Sequence, residues 1–322
     1  SEIGLNCTAF EYRGSIIVID MGLMFPDDSM LGVDYVIPDL DYLVKNSSKV
    51  KAIFITHGHE DHTGAIPYLL QKINAPIYGT CLTIGLIKRK LQEFKDIISP
   101  KLITVKPMEK IKIDDFVVEP IRVTHSILDS VSYAVGTPAG TVIVTGDFKI
   151  DNSPIGQRMN LQRFSMYGDE GVDVLLSDST NALHGGYTPS EKLVGVAFKD
   201  IFPKIKGRII GSTFASNINR IQQFADAAIA NDRKVCITGR SMLNNVEIAS
   251  ELKYINIPKA NRIDVKYLDQ AKDSSVAIIT TGSQGEPLSV LSRIANDEHK
   301  TIKAKNGDTV IISSKAIPGN ER

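Results

Sequence analysis

Short apolar, β-branched runs recur along the chain, and several stop at a polar residue: GSIIVID ahead of Met21, VKAIFIT ahead of His57, VVEPIRVT ahead of His125 and TVIVTG ahead of Asp147. Runs of this kind, apolar on both faces, predict buried strands. Between them the spacing turns helical, as in IPYLLQKI, where Pro67 suits a first helical turn. From about residue 188 the texture changes. Thr188, Pro189, Ser190 and Glu191 read as a capping box with proline at the first helical position, which predicts a helix through LVGVAFKDIF. RIIGSTFAS, NINRIQQFADAAIAND, KVCITG, MLNNVEIASELKYI and VAIITTG then alternate as strand and helix, so a second, doubly wound parallel sheet is expected. The fold class is therefore α/β in two domains.

Composition permits this division: 322 residues with 43% apolar content can bury two cores. Formal net charge is zero, so a polyanionic partner would have to be held by local positive potential. Cys7, Cys81 and Cys236 are odd in number and widely spaced, which suits reduced thiols packed in a cytoplasmic protein. No cationic leader precedes an apolar core and no apolar run is long enough to cross a bilayer, so the expected partners include no membrane. The chain opens with SEIGLNCTAFEY and closes on DTVIISSKAIPGNER, both strand-like to the edge, and is expected to be cut from a larger protein at both ends.

The segment ITHGHEDHTGA, residues 55–65, concentrates three of the six histidines with Glu60 and Asp61 between a predicted strand and a predicted helix. Loops at the carboxyl ends of strands are where α/β proteins place ligands. A solvated loop with incidental histidines is the bland alternative, but so many ionisable groups directly after a buried strand would be costly without a partner. His57 and His59 are expected to grip one cation and Asp61 and His62 a neighbour, with Glu60 out of phase. His125 and Asp147 also follow predicted strands and can converge on the same edge. Asp147 is the candidate bridge between two cations about 3.5 to 4 Å apart. Asp20, in VIDMG, is expected to orient a histidine from behind. The His/Asp donor set suits Zn²⁺, with Mn²⁺ as the alternative.

HxHxDH followed by separate His and Asp strand-end residues resembles the metallo-β-lactamase superfamily. GLMFPDDSMLGVDYVIPD, TGDFK, LLSDSTN, GYTPSE, GSTFASN, TGSQGEP and IPGNE narrow the resemblance to the ribonuclease J family of β-CASP nucleases, over essentially the whole chain. The resemblance implies an αββα metallo-β-lactamase sandwich with an inserted β-CASP domain. On that basis residues 1–187 belong to the first domain, 188–306 to the insert, and 307–322, containing TVIISS, return to the first. It also implies that His57, His59 and His125 hold one metal, Asp61 and His62 the other, with Asp147 shared, and that Asp178 in SDST stands beside them as an orienting or proton-handling group. The loops GSTFASN and TGSQGEP, with Ser212, Ser216, Asn217, Ser283 and Gln284, are expected to receive RNA phosphates.

The family's further histidine from a Ser-Gly-His motif has no match. The later histidines, His184 and His299, read as surface residues, so the second metal is expected to be one ligand short. The implied activity is hydrolysis of RNA phosphodiesters to 5′-phosphate products. It proceeds 5′-to-3′ from a 5′-monophosphate end and also by internal cuts, in RNA decay and maturation. A homodimer or homotetramer is implied for the full-length protein. A DNA-processing β-CASP nuclease, a small-molecule metallohydrolase and an inactive RNA-binding subunit are the competing readings. The second α/β domain weighs against the small-molecule enzyme, and intact ligand residues weigh against the inactive subunit. The basic runs at 88–90 and 204–208 are expected to be solvated surface.

Overall fold

In a computed structural model the described residues are 4–26, 30–283 and 289–314. The chain divides into two compact units, Ser1–Asn152 with Gly156–Thr188, and Ser153–Ile155 with Pro189–Arg322.

The first unit holds two five-stranded sheets. One runs in the order β1 (Thr8–Tyr12), β2 (Ser15–Ile19), β3 (Val50–Phe54), β4 (Ile77–Gly79), β5 (Leu102–Thr104), antiparallel at its first pair and parallel thereafter. Its connections carry α1 (Asp41–Lys45), α2 (Glu60–Thr63), α3 (Ile66–Leu69) and α4 (Cys81–Leu91). The helix predicted over IPYLLQKI is realised only as the single turn of α3, with Pro67 in its first turn. The other sheet comprises β6 (Ile111–Ile113), β7 (Phe116–Arg122), β8 (Val131–Thr137) and β9 (Gly140–Val144), paired antiparallel in succession. After α5 (Leu161–Glu170), β10 (Val174–Leu176) adds in parallel beside β9.

Strand alternation assigns the layers. Ile17 and Ile19 join Phe54, Phe116, Val118 and Tyr133 between the two sheets, whereas Ile16 and Val18 pack with Leu69, Leu70 and Ile87 on the helical side. Beyond the second sheet, Ile121, Ala134 and Ile143 pack against Phe164 and Tyr167 of α5. The result is the expected αββα stack. The outer helix is also tied by charge: Arg163 Nε and Nη2 donate to the two oxygens of buried Glu119, at 2.6 and 2.7 Å, and the Tyr167 hydroxyl donates to the same carboxylate at 2.9 Å.

In the second unit β11 (Ile209–Ser212), β12 (Lys234–Ile237), β13 (Val276–Thr280) and β14 (Thr309–Ile312) form a wholly parallel sheet in the order β12-β13-β11-β14. Around it lie α6 (Lys192–Ile201), α7 (Ile218–Ile229), α8 (Arg240–Glu251) and α9 (Val290–Ala295). Phe198, Phe202 and Phe224 form a ring cluster, and Ile210, Cys236 and Ile278 pack with Leu268, Ile294 and Ile302.

Four expectations change here. The strand in TVIISS, expected to return to the first domain, pairs with β11 from Ile209↔Thr309 to Ser212↔Ile312. The buried pair Arg208–Asp308, 2.6 Å from Nη2 to Oδ2, fixes that register where both strands begin, so Arg208 is core rather than solvated surface. The capping box at 188–191 does not form, because the Glu191 carboxylate is engaged by Arg220 and α6 starts at Lys192. His299 is half-buried, its Nδ1 accepting from the amides of Thr301 and Ile302.

Candidate metal centre and a hydroxyl-lined pocket

Strand ends of the first unit bring the histidine-rich segment, His125 and Asp147 together. β3 delivers His57 and His59, α2 presents Asp61 and His62 in its single turn, the stretch after β7 delivers His125, and the turn after β9 delivers Asp147. That last turn passes through Gly146 at φ +56°, where a Cβ would press on Thr56 at 2.8 Å, so glycine is required beside the ligand. Gly22 is required for closeness instead, because a Cβ there would stand 1.6 Å from the Asp61 carbonyl oxygen.

Two donor groups result, His57, His59, His125 and Asp147, and Asp61, His62 and Asp147, each with ligand atoms within 4.8 Å of one another. His59 Nδ1 lies 3.1 Å from His57 Nε2 and 3.2 Å from His125 Nε2. Nitrogens bound tetrahedrally to one Zn²⁺ at 2.0–2.1 Å stand about 3.3 Å apart, so His59 Nδ1 lies at ligand spacing from both neighbours. Asp147 offers one oxygen to each group, Oδ2 at 3.6 Å from His125 Nε2 and Oδ1 at 3.3 Å from His62 Nε2. The residues thus fit a divalent cation at the first group, and the shared carboxylate suits a second beside it.

Electrostatics agree with ligation at the first group, whereas at the second His62 holds its proton against Asp20 and Asp147, and a cation there has to displace it. Burial, ahead of the neighbouring imidazoles, pushes His57 and His59 well below the ordinary range and brings His125 down to about 4. These rings therefore keep the neutral form a metal requires. Burial would also lower His62, but the charge of Asp20 and hydrogen bonds to Asp147 and Asp20 outweigh it and lift His62 well above its usual value. Burial opposes ionisation of Asp147, yet the hydrogen bond to His62 and its charge win and bring it down to about 2. Asp61 moves upward, chiefly by burial.

Asp20 stands behind the cluster. Its Oδ2 is 2.8 Å from His62 Nδ1, and its Oδ1 accepts from the Thr56 amide at 2.8 Å, leaving His62 Nε2 aimed at the carboxylates. Asp178 accepts from the Thr180 amide at 2.8 Å and hydroxyl at 2.7 Å through Oδ1, and from the Phe148 amide at 3.4 Å through Oδ2, which ties it to the residue after Asp147. Glu60 pairs with Lys90, which accounts for its being out of phase. Sequence reasoning missed two supports. Thr56 Oγ1 bridges Asp20 and His57 Nδ1, at 2.9 and 3.0 Å. Asn6 donates to the Asp61 carbonyl at 3.0 Å and lies 3.1 Å from His62 Nε2. Thr56 adjoined the motif and was legible as a strand-end hydroxyl; Asn6, ahead of β1, carried no signal.

The second unit holds a cavity of about 230 Å³ lined by the hydroxyls of Thr213, Ser241, Thr281, Ser283 and Ser289 with Gly282. It lies just past the carboxyl ends of β11 and β13. Of the phosphate-binding residues expected there, Ser283 lines the cavity. Ser212 is buried with its hydroxyl unpartnered, and side-chain alternation assigns the lining position to Thr213. Asn217 caps α7, accepting from the Arg220 amide at 3.0 Å, Ser216 is half-buried, and Gln284 lies outside the described residues.

Comparison with known proteins follows the same division. A profile for the metallo-beta-lactamase superfamily matches residues 4–155, and one for the ribonuclease J beta-CASP domain matches residues 206–322. Ribonuclease J of Helicobacter pylori strain J99 is 47% identical over 324 residues, covering 99% of this chain and 46% of that protein. Ribonuclease J 1 of Streptococcus pyogenes serotype M3 is 46% identical, covering 99% and 57%. Ribonuclease J2 of Bacillus subtilis strain 168 is 42% identical, covering 99% and 58%. The chain thus spans about half the length of the curated relatives it matches. A crystal structure of a protein of unknown function from Enterococcus faecalis V583 shares the fold at a TM-score of 0.64 and 17% identity, over 96% of this chain and 86% of that one.

Proposed function

Because the chain belongs to the ribonuclease J family of the metallo-β-lactamase superfamily, we propose that it forms the catalytic part of a metal-dependent ribonuclease that leaves 5′-phosphates. The observation that carries this is the convergence of three imidazole nitrogens and a two-faced carboxylate from separate strand ends, with His59 Nδ1 at 3.1 and 3.2 Å from its neighbours. His57, His59 and His125 would hold one ion, Asp61 and His62 a second, and Asp147 both; Zn²⁺ suits the donors, with Mn²⁺ as the alternative. Such ions, when bound, activate water towards phosphorus and offset charge on the phosphate oxygens.

The protein's own groups prepare that chemistry. Asp20 fixes the direction of His62, Thr56 fixes His57, and Asp178 sits where it can orient Asp147 through Phe148 or take up a proton. The pocket of Thr213, Ser241, Thr281, Ser283 and Ser289 suits a phosphate, since among the described residues its lining offers hydroxyl side chains and no carboxylate. This favours RNA carrying a 5′-monophosphate, degraded 5′-to-3′ with additional internal cuts. A cytoplasmic role in RNA decay and maturation, as a homodimer or homotetramer at full length, completes the proposal.

The test offers 5′-monophosphate, 5′-triphosphate and 5′-hydroxyl RNA to the metal-loaded protein and to Asp147→Ala. Cleavage fastest on the monophosphate and lost in the variant is expected. Equal decay with both proteins would remove the metal centre from the reaction.

A further inference from the structure

The loop that leaves the metal centre carries two aromatic rings that contribute little to the core. Phe25 is 64% and Tyr35 50% exposed. They flank the isolated antiparallel bridge Met24↔Val36, whose amides and carbonyls exchange two hydrogen bonds of 2.9 Å. As the next pair along that ribbon, Phe25 and Tyr35 project to the same side, and their centroids lie 6.0 Å apart at 58°. With more than half of Phe25 and half of Tyr35 exposed, both rings keep surface on which a further ring can stack.

The foot of this loop is bonded to the ligand segment. Met21 N donates to the His62 carbonyl at 2.8 Å and Leu23 N to the Glu60 carbonyl at 3.1 Å. Phe25 follows Leu23 by two residues, at most about 7 Å of extended chain. Glu60 in turn pairs with Lys90 at the basic end of α4, where Lys88 is exposed. Open aromatic surface beside a cluster suited to phosphodiester chemistry is what a single-stranded nucleic acid uses, because its bases stack on exposed rings.

We propose that Phe25 and Tyr35 form a stacking platform that holds one nucleobase of the substrate strand next to the metal centre. The inference rests on the ribonuclease reading. The rings set the register of the strand and carry no base preference, because every base presents a π-face.

The test uses the intact metal-loaded protein and 5′-monophosphate single-stranded RNAs in which each nucleotide in turn lacks its base. With wild-type protein, base removal at one position should raise KM about 5- to 20-fold with little change in kcat. The double variant Phe25→Ala/Tyr35→Ala should show the same rise on complete RNA and no further response to base removal there. Phe25→Tyr and Tyr35→Phe, which keep the rings, should restore wild-type KM. Indifference of the wild type to base removal at every position, or an unchanged KM in the double variant, overturns the platform while leaving the ribonuclease reading intact. Unchanged KM with loss of self-association in sedimentation also overturns it and assigns the rings to a protein contact. Wild-type protein that cuts no RNA overturns both.

Discussion

Asp20 adopts a left-handed backbone, φ +62°, at the end of β2, a conformation that aspartate tolerates better than most residues. The bend lets one carboxylate serve three groups: the Thr56 amide, the Thr56 hydroxyl and His62 Nδ1. Thr56 then reaches His57, so one buried acid orients two candidate ligands that sequence spacing assigns to different metals. Asp20→Asn keeps the shape and removes the charge. Metal affinity is expected to fall about 10- to 100-fold, read by competition with a chromogenic chelator, and equal affinity would detach Asp20 from the centre.

At the scale of elements, the site depends on how closely the segment after β2 is pressed against α2. Gly22→Ala would drive a Cβ into the Asp61 carbonyl, 1.6 Å away, on the helix that carries Asp61 and His62. A loss of about 3 kcal/mol in urea unfolding, together with reduced metal content, is expected; wild-type stability would mean that α2 yields freely. The contact between α5 and the second sheet gives a pH-dependent counterpart. Burial raises the Glu119 carboxyl, but the hydrogen bonds from Arg163 and Tyr167 prevail and hold it below its ordinary 4.5. A depressed carboxyl pKa stabilises the fold above the unfolded value, and the contribution is lost as pH falls through the folded value. Glu119→Gln should therefore cost about 3 kcal/mol at neutral pH, with the difference from wild type shrinking below pH 4.5 in paired urea unfolding curves.

For the whole molecule, a cation that binds the folded site must add to stability. With free Zn²⁺ or Mn²⁺ about a thousandfold above its Kd, about 4 kcal/mol is expected. The thermal midpoint should rise on loading, fall back with chelator, and respond far less in His57→Ala; the same rise in that variant would locate binding elsewhere. Much of this was legible in the sequence. Unbroken β-branched runs report burial on both faces directly, which is why the strands before His57, His125 and Asp147 and the alternating second unit could be read from local pattern. The cluster HGHEDH announced ligand chemistry by concentration alone. Other features depend on partners remote in the chain. β14 joins β11 because Asp308 meets Arg208, a pairing of residues 100 apart that no window can contain. The helix start at Lys192 follows from Arg220 claiming Glu191, and Asn6 enters the metal centre only because β1 and β2 bring it beside Asp61. Composition and period determined which segments become strands and which residues can bind a cation, since both are properties of neighbours in sequence. Tertiary structure alone decided which strand lies beside which and the 3.1 to 3.6 Å spacings among the ligand atoms, because those follow from long-range packing and charge pairing.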